Sequence, residues 1–307
     1  MEIESVFDEL AARRVATVDP ADTALLRELA AAGVSSDGNR AYLADSVELL
    51  SAERIRAHLA PPATEWLRAL ELAAHIPSTN TELVRRGSSG SIDGTALLAE
   101  AQTAGRGRRG RSWRSPFARN LALSVGIRID RGLVEVGAVS LVVGVAVADA
   151  LAAVGVDGVA LKWPNDVLLE GRKLSGILTE LPRAVAPPEL VVGIGINVGG
   201  AAIVAREVDQ GVADVTERVP DVSRNRLAGE VIDSVFDRCR RFEREGFEPL
   251  RSAYDALHGF HGETVRVVAG TESVAGVVLG VAADGALRLR TASGERRFSG
   301  GEVSLRA

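Results

Sequence analysis

The chain has 307 residues, 46% of them hydrophobic and 25% charged, with a net charge of -5 at neutral pH. That length allows one large domain with smaller ones beside it, and the acidic balance argues against a protein built to coat nucleic acid. No early basic-then-apolar segment resembles a signal peptide, and the longest apolar run, Val136 to Val147, is interrupted by Gly137, Ser140 and Gly144 and reads as too short for a bilayer, so a cytoplasmic protein is expected.

In chain order, Glu2 to Arg14 predicts a helix. Pro20 to Ala32 predicts a second, with Asp19 as N-cap, Pro20 at the first helical position and Gly33 as the stop. A short strand, Ala41 to Ala44, precedes a helix from Ser51 to Leu59 that is ended by Pro61-Pro62. Helix, helix and strand would fit part of a winged helix. The first 60 residues, however, hold 11 acidic against 6 basic side chains, and the second helix offers only Arg27, which argues against DNA reading.

Leu70 to Ile76 predicts a strand, and Pro77-Ser78-Thr79-Asn80 turns into a helix running to Arg86 with Ser78 as its cap. Free N-H groups and hydroxyls at that helix start suit a neutral polar ligand group. Thr95 to Ala99 is a buried strand leading into a loop with three glycines and five arginines between Gly105 and Arg114. Glycine keeps such a backbone mobile while arginine supplies anion-binding forks, so the loop reads as one that orders over an anion. Gly105 to Gly110 also satisfies the dinucleotide pattern of three spaced glycines. The pattern fails in context, because Arg111 to Pro116 is polar, aromatic and proline-stopped where a helix should open.

Asn120 to Ile129 alternates as a strand, and Leu133 to Val154 predicts a long helix ended by Gly155. Val159 to Lys162, Val167 to Leu169 and Lys173 to Leu181 predict strands, with Glu170-Gly171 as a tight turn. Only two of the 36 basic residues are lysine, Lys162 and Lys173, and the expectation is that they sit on adjacent strands of one hairpin. In a chain that otherwise uses arginine, they mark sites suited to a compact ammonium. Val191 to Val198 is a strand carrying Gly193, Gly195 and Asn197, where glycine suggests close approach by a ligand.

Ser223 to Glu245 and Pro249 to Leu257 predict amphipathic helices, the first carrying the lone cysteine, Cys239, as a structural thiol. From Gly262 the chain changes to four short strands, Thr264 to Ala269, Ser273 to Val281, Ala286 to Thr291 and Glu295 to Ser299, read as a small antiparallel barrel or sandwich. None of His58, His75, His258 and His261 has metal-ligand spacing, so no protein metal site is expected.

Taken as a set, Pro77-Ser78-Thr79-Asn80, Gln102, Gly105 to Trp113, Lys162-Trp163-Pro164-Asn165-Asp166, Arg172 to Leu178, Gly195-Ile196-Asn197 and Gly300-Gly301-Glu302 resemble the biotin protein ligases, in the right order from about residue 64 onward. The resemblance implies an α+β, mixed α/β protein in three parts. These are a degenerate winged-helix-like segment over 1–62, a catalytic domain like the class II aminoacyl-tRNA synthetase core over 63–260, and an SH3-like β-barrel over 261–307. It also implies an ATP-dependent reaction in which biotin is adenylated with Mg2+ and then passed to a lysine of a biotin carboxyl carrier protein. By the same resemblance, Ser78, Thr79, Asn80, Gln102, Gly105, Arg106, Arg108, Lys173 and Gly176 would bind biotin, and Arg108, Arg111, Trp113, Asn165, Lys173 and Asn197 would bind ATP. Lys173, Arg108 and Asp166 would serve catalysis, with Asp166 the candidate to receive the acceptor lysine's proton.

The sequence departs from that family at Pro77, where many relatives have Asp, and in an amino-terminal region too short for a complete winged helix. A monomer or homodimer without membrane association is expected. The alternatives are a lipoate-type protein ligase, against which the Gly-Arg-Gly-Arg-Arg-Gly run favours biotin, and a biotin-responsive DNA-binding repressor.

Overall fold

The computed structural model describes residues 2–31, 34–133, 135–205 and 211–305. Its first elements are α1 (Ile3–Arg13), β1 (Val15–Thr17), α2 (Thr23–Ala31), β2 (Ser35–Asp37) and β3 (Arg40–Tyr42). The strands pair antiparallel in the order β1-β3-β2, with Gly38 turning the hairpin at φ 57°. Helix α2 begins later than expected. Asp19 Oδ1 accepts from Ala21 N in a local turn, and the helix is capped instead by Asp22 Oδ1, which accepts from Leu25 N. The expected stop, Gly33, lies outside the described residues. Val6, Phe7, Leu10, Leu25 and Leu29 form a small core on which Phe117 of the central unit also packs, its ring stacked 4.8 Å from that of Phe7.

Two short helices follow, α3 (Ala52–Arg56), capped by Ser51, and α4 (Pro61–Trp66). Pro61-Pro62 was expected only to end a helix. It opens one, because proline in the first turn gives up no intrahelical hydrogen bond.

The central unit comprises β4 (Ala69–Ile76), α5 (Thr79–Gly87), β5 (Thr95–Gln102), β6 (Asn120–Arg128), α6 (Val139–Ala153), β7 (Val159–Lys162), β8 (Asp166–Leu169), β9 (Arg172–Glu180), β10 (Glu189–Asn197), α7 (Ala201–Val204), α8 (Arg224–Glu245) and α9 (Glu248–Leu257). Its seven strands are ordered β4-β5-β6-β10-β9-β8-β7, antiparallel except for the parallel β4–β5 pair. Lys162 and Lys173 are therefore not on adjacent strands, since β8 runs between β7 and β9.

Alternation assigns the two faces of this sheet. On β10, Leu190, Val192, Ile194 and Ile196 enter the main core beneath α6 and α8, and on β6 Leu121, Leu123, Val125 and Ile127 do the same. The residues between them, Gly193, Gly195 and Asn197 with Ala122 and Ser124, fall on the opposite face and line a pocket. Helix α6 starts at Val139 after a 3-10 turn over Glu135–Ala138. The 19 residues Glu135–Ala153 are, contrary to the reading of the apolar run, long and apolar enough to cross a membrane, but 72% of their most apolar 18-residue window is buried in the protein. Packing against α8 and α9 accounts for its composition.

The last unit has five antiparallel strands, β11 (Thr264–Ala269), β12 (Glu272–Val281), β13 (Leu287–Thr291), β14 (Gly294–Phe298) and β15 (Glu302–Leu305), in the order β14-β13-β12-β11-β15. Among the described residues these pairings form one sheet, with no β14–β15 pair that would close the expected barrel. Trp163, 2% exposed, joins it to the central unit by donating Nε1 to the Gly285 carbonyl at 3.1 Å.

Candidate active site

The pocket face of the sheet begins with a polar cluster at the start of α5. Ser78 Oγ caps the helix by accepting from Thr81 N. Thr79 donates both its N-H and its hydroxyl to Gln102 Oε1, at 2.9 and 3.2 Å, and its Oγ1 lies 2.8 Å from Ser124 Oγ. Ser124 donates in turn to Asn80 Oδ1 at 3.0 Å, and Asn80 Nδ2 to Glu180 Oε2 at 2.5 Å. Ser78, Thr79, Asn80 and Ser124 are all buried, so these bonds fix which lone pairs and hydrogens face the pocket. Gly193 makes room for them, because a Cβ there would lie 2.4 Å from Asn80 Oδ1. The close approach that the strand glycines signal is thus made by the protein's own side chains.

Lys173 reaches the same pocket because of an irregularity in β9. Leu168 pairs with Lys173 and Val167 with Ser175, which leaves Leu174 as an extra residue. Leu174 turns into the core, and the shifted alternation brings Lys173 out beside Gly176. Its ammonium lies 2.8 Å from Asp166 Oδ1 and 5.7 Å from the centre of the Trp113 ring. The indole rests on two paired glycines: a Cβ on Gly195 would lie 2.3 Å from it and one on Gly176 3.3 Å.

The arginine-rich loop crosses this face as an irregular hairpin. Trp113 N donates to Gly105 O at 2.9 Å, and Gly107 N to Arg111 O at 2.7 Å. Arg109 and Gly110 turn it in left-handed conformations, at φ 56° and 73°. Arg106 forks onto Glu180 at 2.9 and 3.1 Å, while Arg108 Nη1 donates to Asn165 Oδ1 at 3.1 Å. Asn165 is held by donating Nδ2 to the Ile177 carbonyl at 2.9 Å.

The resulting pocket, about 910 Å³ with its mouth, is lined by Ser78, Thr79, Asn80, Gln102, Arg106, Arg108, Arg111, Trp113, Asn165, Lys173, Gly176 and Asn197. Of the other expected residues, Gly105 lies behind the lining, where a Cβ would meet the Trp113 carbonyl, and Asp166 acts on the pocket through Lys173. Lys162 pairs with Asp166 in the β7–β8 ladder and does not line the pocket. Ser124 and Glu180 were missed. A lone serine among the apolar residues of β6 was a legible sign, whereas Glu180 shows its role only through the spatial meeting of Asn80 and Arg106.

The pocket is neutral and hydrogen-bonding at the α5 end and cationic at the Lys173 and loop end. It suits a ligand with an uncharged polar head and an anionic tail. Outside it, burial pushes the Cys239 thiol up to about 12, as befits a structural thiol. Among the described residues no three His, Cys, Asp or Glu side chains cluster as metal ligands.

Two family models match the chain: the biotin/lipoate A/B protein ligase family over residues 72–197, and the biotin protein ligase C-terminal domain over residues 260–306. The biotin--[acetyl-CoA-carboxylase] ligase of Mycobacterium tuberculosis is 37% identical over 83% of this chain and 95% of its own length. The chain belongs to the biotin protein ligase family. The bifunctional ligase/repressor BirA of Escherichia coli is 36% identical over 86% of this chain and 81% of its own length. The solved biotin protein ligase from Aquifex aeolicus, in complex with biotin and ATP, superposes with a TM-score of 0.65 at 28% identity, covering 78% of this chain and 99% of that one.

Proposed function

We propose that this biotin protein ligase adenylates biotin with ATP and transfers it to a lysine of a biotin carboxyl carrier protein, using the pocket between α5 and the arginine loop. The observation that carries the assignment is the position of Lys173, whose ammonium stands between a neutral hydrogen-bonding end and an arginine-bearing end. In the first step the biotin carboxylate attacks the α-phosphate, the bond to the β-phosphate oxygen breaks, and pyrophosphate leaves. In the second, the amine of the acceptor lysine attacks the acyl carbon, AMP leaves, and the amine loses a proton.

Ser78, Thr79, Asn80 and Gln102 would meet the ureido head, whose donors and acceptors their fixed bonds complement. Gly105, Arg106 and Gly176 would enclose biotin. Arg108 and Arg111 would take phosphate charge, with Trp113, Asn165 and Asn197 on the nucleotide side. Lys173 would hold the carboxylate and α-phosphate oxygens together, where neutralised charge and fixed geometry are the main requirements of in-line attack. Asp166 holds the ammonium and is the candidate acceptor for the amine proton.

Magnesium would enter on the triphosphate, which is the usual way a nucleotide brings it. The nearby carboxylates fit that role as outer partners only, since Asp166 is engaged by Lys173 and Glu180 by Arg106 and Asn80. When bound, the ion neutralises phosphate charge and eases the departure of pyrophosphate.

We read the amino-terminal segment, residues 1–62, as a reduced winged helix without DNA-reading function, given its acidic balance. Residues 63–260 are the catalytic unit, of class II synthetase type, and 261–307 an SH3-like unit. The cytoplasm, where ATP and carrier proteins are found, is the assigned compartment, and the chain works as a monomer or homodimer. The test of the first step is biotin-dependent release of pyrophosphate from ATP with formation of biotinyl-5′-AMP. Pyrophosphate release indifferent to biotin would overturn the reading.

A further inference from the structure

Val198 follows the last paired residue of β10 and is 3% exposed, so its N-H needs an acceptor within the protein. That acceptor is Asn120 Oδ1, at 3.2 Å. With its oxygen committed, Asn120 turns its NH2 group to Asn197, Nδ2 lying 3.2 Å from Asn197 Oδ1. Asn197 is thereby obliged to direct its own NH2 the other way, where Nδ2 lies 3.3 Å from the Lys173 carbonyl. The four groups read in one sense only. Reversing either amide would set oxygen against oxygen or N-H against N-H in a buried site.

Asn197 lines the pocket and Asn120 does not. Asn120 is fully buried and is held from behind by Arg224 at the start of α8, itself 4% exposed. Arg224 donates Nε and Nη2 to the Asn120 carbonyl at 3.2 and 2.8 Å, and Nη1 to Glu100 Oε2 at 2.8 Å. Gly200 leaves the space for this side chain, since a Cβ there would lie 2.8 Å from Asn120 Oδ1.

We propose that Asn120 is a positioning residue for the ligase reaction: it sets the amide orientation of Asn197, and through that the face Asn197 offers to the nucleotide and its grip on the Lys173 backbone. The proposal rests on the reading of Asn197 as a nucleotide-side residue. Thr79, Gln102 and Ser124 at the ureido end share no bond with the relay, and Lys173 is reached only through its backbone carbonyl, so the effect falls chiefly on the nucleotide.

Asn120→Asp tests this. The substitution keeps the size and the acceptor for Val198 N-H but replaces the donor facing Asn197 with an oxygen, which turns Asn197 around. The KM for ATP should rise about tenfold or more while the KM for biotin stays within about twofold. Equal changes in both constants, or neither constant changing, would overturn the proposal, whatever happens to the thermal midpoint. Should the aspartate variant fail to fold, Asn120→Ser, uncharged and too short to span both partners, gives the same ratio to the same criterion. A wild-type protein that forms no biotinyl adenylate would refute the proposed function instead. Normal adenylation with an unchanged ratio in the variant refutes the role of Asn120 alone.

Discussion

Lys173 Nζ lies 2.8 Å from Asp166 Oδ1, and the two side chains meet because one extra residue, Leu174, shifts the alternation of β9. The ammonium fits between this carboxylate and the Trp113 ring face. A guanidinium is broader and flat, and would press on the ring or lose the carboxylate. Lys173→Arg, although it keeps the charge, should slow single-turnover adenylate formation by about tenfold or more, roughly 1.4 kcal/mol of barrier. An unchanged rate would show that the charge at this position, and not the ammonium's shape, is what adenylation needs.

Gly195 lies under the Trp113 indole, where a methyl group would stand 2.3 Å from the ring. The hairpin bond from Trp113 N to Gly105 O limits how far the ring can retreat. Gly195→Ala should therefore displace the indole, raise the KM for ATP by about tenfold and change the tryptophan emission. Wild-type emission and KM together would show that the ring is not held there.

The loop is latched to β9 through the fork from Arg106 to Glu180, a carboxylate that also accepts from Asn80. Residues 104 to 115 should be cut by protease without ligand and protected by biotin in the wild type. In Glu180→Ala protection should need about tenfold more biotin. Equal protection curves for the two proteins would remove Glu180 from loop closure.

Burial pushes His258 down to about 4, below its ordinary value of 6.5. The unfolded chain then binds a proton that the folded protein refuses, so stability from this site is complete above about pH 6.5 and falls as pH drops toward 4. The loss is on the order of 3 kcal/mol across that window. Thermal midpoints measured from pH 7 to pH 4 should fall less steeply in His258→Phe than in the wild type. Parallel curves would assign the acid sensitivity to other groups.

Much of this was legible in the chain. The alternation of Leu190 to Asn197 marks both faces of β10, and Ser78 in front of an apolar period marks the helix start that carries the polar cluster. Lys173 stands out as one of two lysines, but the other, Lys162, lies two strands away and not on the adjacent strand that was expected. The stretch Lys162 to Lys173 forms two successive hairpins, because Asp166–Leu169 pairs with both flanking strands, and the bulge at Leu174 is set by core packing that no local pattern records. Pro61 and Asp22 show the same limit at helix starts, where several residues offer a cap and tertiary packing selects one. Asn120 and Glu180 owe their roles to partners 77 and 100 residues away in sequence.

The pocket's proposed work is to load biotin onto a protein lysine. Purified protein incubated with ATP, Mg2+, labelled biotin and an unmodified biotin carboxyl carrier domain should transfer label to that domain. The same mixture with lipoate and a lipoyl domain should give no comparable transfer. Efficient lipoate transfer with no biotin transfer would contradict the account.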